Sequence, residues 1–358
     1  KIYGKYQWER YDLMVLPYSF PFGGMENPRL TFISPTLIAG DRSLVSVIAH
    51  ELAHSWSGNL VTNASWEDFW LNEGFTVYFE NRIMEEIYGK ETADVLSYIE
   101  FQELEKELNE ITNSDFPEDT HLKLNLKGRD PDAGMTSIAY VKGAYFLKTI
   151  EETVGRDKFD VFLKGYFKKY AFKTVTTEEF EKYLNQKLFK PKRIAFNTKE
   201  WLYKGGLPSN CVSLSPQRFQ KAQKLALKVS KGGQLDQDIK MNSFITQEWL
   251  VFIRGLEGNI SALKLKEIDD KLNLKGCGNS EIMTEWYLIS IKNKYKGVRP
   301  DMEKFLMKVG RRKYLQPIYT ELAKSQNDLD WARSIFKIAR NNYHSVSVKT
   351  IEEILHGK

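Results

Sequence analysis

The order of apolar and polar residues divides the chain into a mixed first part and a helical second part. Tyr11 to Leu16 is an apolar run closed by Pro17, and Leu30 to Ile33 is a second; both predict strands. The loop between them is rich in Pro, Gly and aromatic residues and ends in Gly23-Gly24-Met25-Glu26-Asn27. From Asp41 the pattern turns helical, with Asp41 as N-cap and Gly58 as stop. Further helices are expected over Asp68 to Tyr88, ended by Gly89, and over Ala139 to Thr153, Lys158 to Tyr170 and Thr177 to Leu188. The last is introduced by Thr176, with Glu179 at capping-box spacing.

After Trp201-Leu-Tyr-Lys-Gly-Gly-Leu-Pro208 the pattern changes. From Ser215 onward about eight short amphipathic helical stretches follow, with almost no strand signal. Stacked helix pairs, solenoid-like but without a strict sequence period, are the architecture such a run implies. The expected organisation is a first domain over 1–205, a linker over 206–214 and an all-α domain over 215–358.

Composition sharpens this only in places. A length of 358 residues suits about two domains, and 42% apolar residues allow a sizeable core. The net charge of +5 is small against 52 basic and 47 acidic residues. No long Lys/Arg run argues for nucleic acid, so none is expected as a partner. No apolar run is long enough for a transmembrane segment, and no signal-peptide pattern opens the chain. The chain begins at Lys1 without methionine, which reads as a fragment or processed chain. The cytoplasm is the expected compartment, with the periplasm or secretion left open by that incomplete N-terminus. Cys211 and Cys277 are the only cysteines. They lack zinc-ribbon spacing and are read as free thiols.

The strongest chemical signal is His50-Glu51-Leu52-Ala53-His54. Residues four apart on a helix lie about 40° apart around its axis, so both imidazoles share a face. The neighbouring helix surface is apolar, through Val45, Val47, Ile48, Leu52 and Trp56. Two histidines and a carboxylate there need polar partners, and one divalent ion, Zn2+, supplies them. Zinc held by two imidazoles needs a third protein ligand and leaves one position for water. Glu73, with 18 residues between it and His54, is that candidate. Glu51 is then the general base of a metal-assisted hydrolysis. His121, His344 and His356 have no partner pattern and receive no role.

With Gly23-Gly-Met-Glu-Asn27 ahead of these residues, the chain resembles the aminopeptidase N family of gluzincins, and within it the leukotriene A-4 hydrolase branch. The resemblance runs through Phe20 to Pro28, Leu37 to Asp41, Ile48 to Thr62, Phe69 to Gly74 and Trp201 to Pro208, and more weakly to the C-terminus. It implies an α+β, thermolysin-like zinc metallopeptidase domain followed by the helical-repeat domain, acting on short peptides. It implies that Gly23, Gly24, Met25, Glu26 and Asn27 form a substrate-binding strand, with Glu26 holding the free α-ammonium. A carboxylate there rewards a free N-terminus by charge-assisted hydrogen bonding. Tyr140, in Ser137-Ile-Ala-Tyr-Val-Lys-Gly143, matches the tyrosine that donates to the oxyanion. Arg311 and Lys313 match a clamp for the far carboxylate of a peptide.

The departures set the alternatives. Asp132 matches the aspartate that positions water on a lipid epoxide, whereas a family tyrosine nearby is replaced by Met135. A bifunctional aminopeptidase and epoxide hydrolase therefore stands as one rival, and a non-catalytic peptide-binding scaffold as another. The large N-terminal β domain of the family has no counterpart in this chain, and is expected as a partner from a longer one.

Overall fold

The computed structural model describes residues 3–214, 216–256 and 260–356. Ser215, the expected start of the helical stretch, lies outside them, as do the extreme ends of the chain. Two compact units divide the molecule: Lys1–Asp12 with Glu26–Thr31 and Ile48–Ser215, and Leu13–Met25 with Phe32–Val47 and Pro216–Lys358.

Three short strands open the chain, β1 (Asp12–Val15), β2 (Gly24–Met25) and β3 (Leu30–Ile33), in the sheet order β1-β3-β2. Gly24 and Met25 pair antiparallel with Ile33 and Phe32. Both strands expected here are present. The following helix, α1 (Val45–Ala53), starts four residues later than the sequence suggests. The Asp41 carboxylate accepts from the Ser43 backbone N–H at 2.9 Å and closes a local turn, which competes with helix. At its other end, the His54 N–H still bonds the His50 carbonyl at 3.2 Å, so the expected i, i+4 relation holds.

The first unit is built around α2 (Trp70–Tyr88), which is buried along most of its length. Against it pack α3 (Lys90–Thr112) and α4 (Gly143–Val154). A five-residue π-turn, Ile138–Lys142, leads into α4. The unit continues through α5 (Arg156–Tyr170), α6 (Thr177–Leu184) and the short α7 (Lys190–Lys192) and α8 (Thr198–Leu202). Thr176 and Glu179 form the expected capping box at the start of α6. Strands β4 (Val61–Asn63) and β5 (Lys173–Val175) pair in parallel. Aromatic packing fills the core: Phe75 stacks on Tyr166 with centroids 5.4 Å apart, and the Trp70 indole N–H donates to Thr177 Oγ1 at 3.0 Å.

Four features of this unit are not what the sequence suggests. Helix α3 is unexpected, the segment before α4 is a π-turn and not α-helix, the helix expected over Thr177 to Leu188 gives way at Leu184 to a second π-turn over Asn185–Phe189, and β4 and β5 are unforeseen.

In the second unit, eight helices follow Pro216 among the described residues: α9 (Phe219–Ser230), α10 (Thr246–Gly255), α11 (Ala262–Leu272), α12 (Ser280–Lys292), α13 (Arg299–Lys308), α14 (Arg312–Leu322), α15 (Gln326–Ala339) and α16 (Ser345–His356). Successive and alternate helices pack on one another, as α9 on α10, α12 on α14 and α14 on α16. Gly310 N–H bonds the Tyr18 carbonyl at 2.7 Å and Arg312 N–H the Pro21 carbonyl at 2.9 Å, tying the loop before β2 to the start of α14. No described helix is long and apolar enough to cross a membrane.

Candidate metal centre and peptide site

α1 carries His50 and Glu51 and passes directly into His54, while the first turn of α2 carries Glu73. The two Nε2 atoms of His50 and His54 lie 3.2 Å apart. Glu73 Oε2 is 3.3 Å from the first and 3.5 Å from the second. A tetrahedron with bonds of about 2.0–2.2 Å, the range for zinc to imidazole or carboxylate, has edges of about 3.3–3.6 Å. The three donors are thus spaced as ligands of one such ion. Glu73 Oε2 is buried and has no hydrogen-bond partner, which is a cost unless a cation meets it.

The far sides of both rings are fixed. His50 Nδ1 faces Glu80 Oε2 at 3.0 Å, and a carboxylate only accepts, so Nδ1 carries the hydrogen. His54 Nδ1 faces the Ser57 carbonyl at 3.1 Å and Asn72 Oδ1 at 2.9 Å, which assigns it the same tautomer. Nε2 is then the nitrogen of each ring that faces the ion, and any proton it carries leaves when a cation binds. Burial would push the His50 ring toward neutrality, but the Glu73 and Glu80 carboxylates outweigh it and hold its pKa well above the usual value. Burial likewise pushes the Glu73 carboxyl up, and the His54 and His50 rings reverse this, leaving it below the usual range. Positive charge is favoured at this point, as a cation site requires.

Glu80 and Asn72 were missed by the sequence reading. A signal existed, since Glu80 lies seven residues after Glu73, two helical turns further along the same face of α2.

Glu51 is buried, and its Oε2 has no hydrogen-bond partner. Burial pushes its carboxyl up to about 7, against the lowering effect of His50 and His54 and with a further upward push from Glu26 and Glu73. Glu26 joins Glu51 and His54 in a second group whose ligand-type atoms all lie within 4.8 Å of one another. The backbone of Glu26 is held by Asn59 Nδ2, which donates to its carbonyl at 2.8 Å.

Tyr140 reaches the same place through a close helix crossing. A Cβ on Gly74 would lie 2.8 Å from Gly143 Cα and 3.0 Å from the Ala139 carbonyl, so glycine is what lets the π-turn lie on α2. The Tyr140 ring stacks on His50 with centroids 6.3 Å apart and planes 14° apart. Burial, reinforced by Glu73, raises the phenol well above its ordinary value and keeps it protonated.

The first unit therefore brings together His50, His54, Glu73, Glu51, Glu26 and Tyr140. Asp132 does not join either group of metal-type ligands among the described residues; it is exposed on a 3-10 turn over Pro131–Gly134. Gly23, Gly24 and Met25 belong to the second unit, with the Gly23 carbonyl accepting from Ser34 N–H at 2.8 Å. Asn27 is in the first unit, and its Nδ2 is buried without a partner. Arg311 and Lys313 are in the second unit, where Arg311 is buried and Lys313 half-exposed.

Comparison with known proteins follows this geometry. Residues 1–201 match the model of the peptidase family M1 domain, and residues 244–355 that of the leukotriene A4 hydrolase C-terminal domain. The order of an α+β domain and then a helical one is the order expected from the sequence. Leucine aminopeptidase 2 of Yarrowia lipolytica is 37% identical over 95% of this chain and 55% of its own length. Leukotriene A-4 hydrolase of Xenopus laevis is 37% identical over 99% of this chain and 59% of its own length. The solved structure of yeast LTA4 hydrolase in complex with bestatin superposes with a TM-score of 0.90 at 30% identity, over 99% of this chain and 60% of that one. The chain thus spans somewhat over half the length of the curated relatives it matches.

Proposed function

The chain belongs to peptidase family M1, in its leukotriene A4 hydrolase and leucine aminopeptidase 2 branch, and on that premise we propose that it is a zinc aminopeptidase releasing N-terminal residues from short peptides. Membership of a zinc metallopeptidase family implies the metal, and one ion held by His50, His54 and Glu73 is the arrangement proposed. When bound there, zinc polarises the scissile carbonyl and lowers the pKa of a water toward ~7.

The chain's own residues supply the rest. Glu51 accepts the proton of the attacking water and passes it to the leaving amine. The neutral Tyr140 phenol donates a hydrogen bond to the oxyanion that forms as the carbonyl carbon becomes tetrahedral. Glu26 receives the substrate's α-ammonium, which places the first peptide bond, and no later one, beside Glu51. Family resemblance further suggests that Gly23 to Asn27 bind substrate through their backbone and that Arg311 and Lys313 bind a carboxylate.

The observation that carries this reading is the grouping of Glu26 with Glu51 and His54. A metal centre with its base explains hydrolysis, but an additional acidic side chain at the base explains why a free amine would be required. Retention of all three ligands, the base and the phenol disfavours a non-catalytic scaffold. Epoxide hydrolysis gains no support from the exposed position of Asp132. The test is a pair of amino-acid anilides, one with a free amine and one acetylated. Cleavage of the first alone is expected, abolished by chelation; comparable cleavage of both would replace the aminopeptidase reading with an endopeptidase one.

A further inference from the structure

Lys142 is fully buried in the first unit, two residues after Tyr140 on the Ile138–Lys142 π-turn. Its Nζ donates to the Thr120 carbonyl at 2.7 Å and to the Lys204 carbonyl at 3.0 Å. Among the described residues no carboxylate pairs with it, and burial pushes its pKa down to about 7. A lysine enclosed without a counter-charge costs stability, and an apolar side chain would fill the same space at less cost. The amine therefore has a task beyond packing. The two carbonyls it meets belong to segments of the same unit that brace each other. Lys123 N–H bonds the Leu202 carbonyl at 2.9 Å, and a Cβ on Gly205 would lie 2.8 Å from Thr120 Oγ1. Lys142 ties the π-turn to this braced pair.

What needs tying is the register of the turn. Gly143 N–H bonds the Ile138 carbonyl five residues back, so the turn holds one residue more than an α-helix would. If that extra residue passes to the next turn, the side chains it crosses rotate by about 100°. For Tyr140 such a rotation would take the ring away from His50, on which it now stacks with centroids 6.3 Å apart. Lys142 cannot follow the shift without leaving both carbonyls. We propose that Lys142 is a positioning residue for the reaction: its two bonds lock the register of the π-turn and so hold the Tyr140 phenol where the oxyanion forms. The inference rests on the reading of Tyr140 as the oxyanion donor.

The experiment is a double-mutant cycle between Lys142 and Tyr140, read on alanine 4-nitroanilide with zinc content measured alongside. Lys142→Met keeps most of the side-chain length and loses both bonds. It is expected to lower kcat by about 10- to 100-fold, with KM and zinc content unchanged. Added to Tyr140→Phe, it should cost no more than about twofold further, because the hydroxyl it positions is already gone. A merely structural role would cost the same factor in both backgrounds. That result, an undiminished kcat in Lys142→Met, or a loss that tracks zinc content would overturn the proposal. Lys142→Gln keeps one donor group and should show a smaller loss with the same dependence on Tyr140, which closes the cycle if Lys142→Met does not fold. If Tyr140→Phe lowers kcat and the Lys142 variants do not, only the present inference fails; if Tyr140→Phe costs nothing, the role assigned to the phenol fails with it.

Discussion

The His50 ring lies between two glutamates of one helix, with Nδ1 3.0 Å from Glu80 and Nε2 3.3 Å from Glu73. One carboxylate fixes the tautomer and the other shares the site that the free nitrogen faces. Glu80 is thus expected to govern metal affinity without touching metal. Glu80→Ala should weaken zinc binding by about 10- to 100-fold. Competition with a chelator of known affinity measures this, and Glu80→Gln should retain more affinity than Glu80→Ala because its amide oxygen still accepts from Nδ1.

Glu51 and Tyr140 should separate from the metal ligands in their effects. Glu51→Gln is expected to retain zinc and substrate binding while losing about 10²- to 10⁴-fold in kcat. Tyr140→Phe should lose about 10²- to 10³-fold in kcat at similar KM. Steady-state kinetics alongside metal analysis distinguishes these outcomes from loss of the ion.

The contact of Gly74 with Gly143 leaves no room for a methyl group, since the obstructing atoms are backbone. Gly74→Ala should destabilise the protein by about 1–3 kcal/mol through forced separation of α2 from the π-turn. Because Tyr140 rides on that turn, kcat should fall as well. A thermal melt and a rate assay on the same preparation test both effects.

Asp68 is buried and accepts from Lys123 Nζ at 2.7 Å, Thr177 N–H at 2.9 Å, Thr177 Oγ1 at 2.8 Å and Ser65 Oγ at 2.8 Å. Burial pushes its carboxyl up, but the bonds from Lys123, Thr177 and Ser65 outweigh it and hold it below the usual value. A folded-state pKa below the unfolded one means that the unfolded chain binds the proton first as pH falls. The stabilisation is therefore complete above about pH 4 and is lost as pH drops through the lower, folded-state value. Asp68→Asn should cost about 3 kcal/mol near neutrality, and its deficit against the parent should shrink below pH 4 in denaturant melts.

How much of this was legible in the sequence depends on the range of the interaction. His50, Glu51 and His54 are one helical turn, and their common face follows from spacing alone. Glu73 was legible because an acidic residue in an apolar helix needs a reason, and Glu80 could have been found by the same periodicity. Glu26, Tyr140 and Arg311 carry no local mark. Arg311 meets Gly23 across most of the chain, so only resemblance to a family pointed to it. Helix α3 was hidden by its charge: Lys90 to Thr112 buries little more than Ala93, Val95, Ile99, Leu104 and Leu108 among its apolar side chains, and it begins directly at Gly89, which read as a stop. The π-turn at Ile138–Lys142 has no compositional signature, because one extra residue per turn changes the hydrogen-bond ladder and not the residue types. β4 and β5 are three residues each and pair across more than a hundred residues, too short and too distant for any pattern to register.

The convergence of three side chains on one ion is tested most directly by anomalous diffraction at the zinc edge. The expected result is a single peak about 2.0–2.2 Å from His50 Nε2, His54 Nε2 and Glu73 Oε2 together, absent from Glu73→Ala crystals grown at the same zinc concentration. A peak coordinated by other residues, or no peak in active protein, would contradict the assignment.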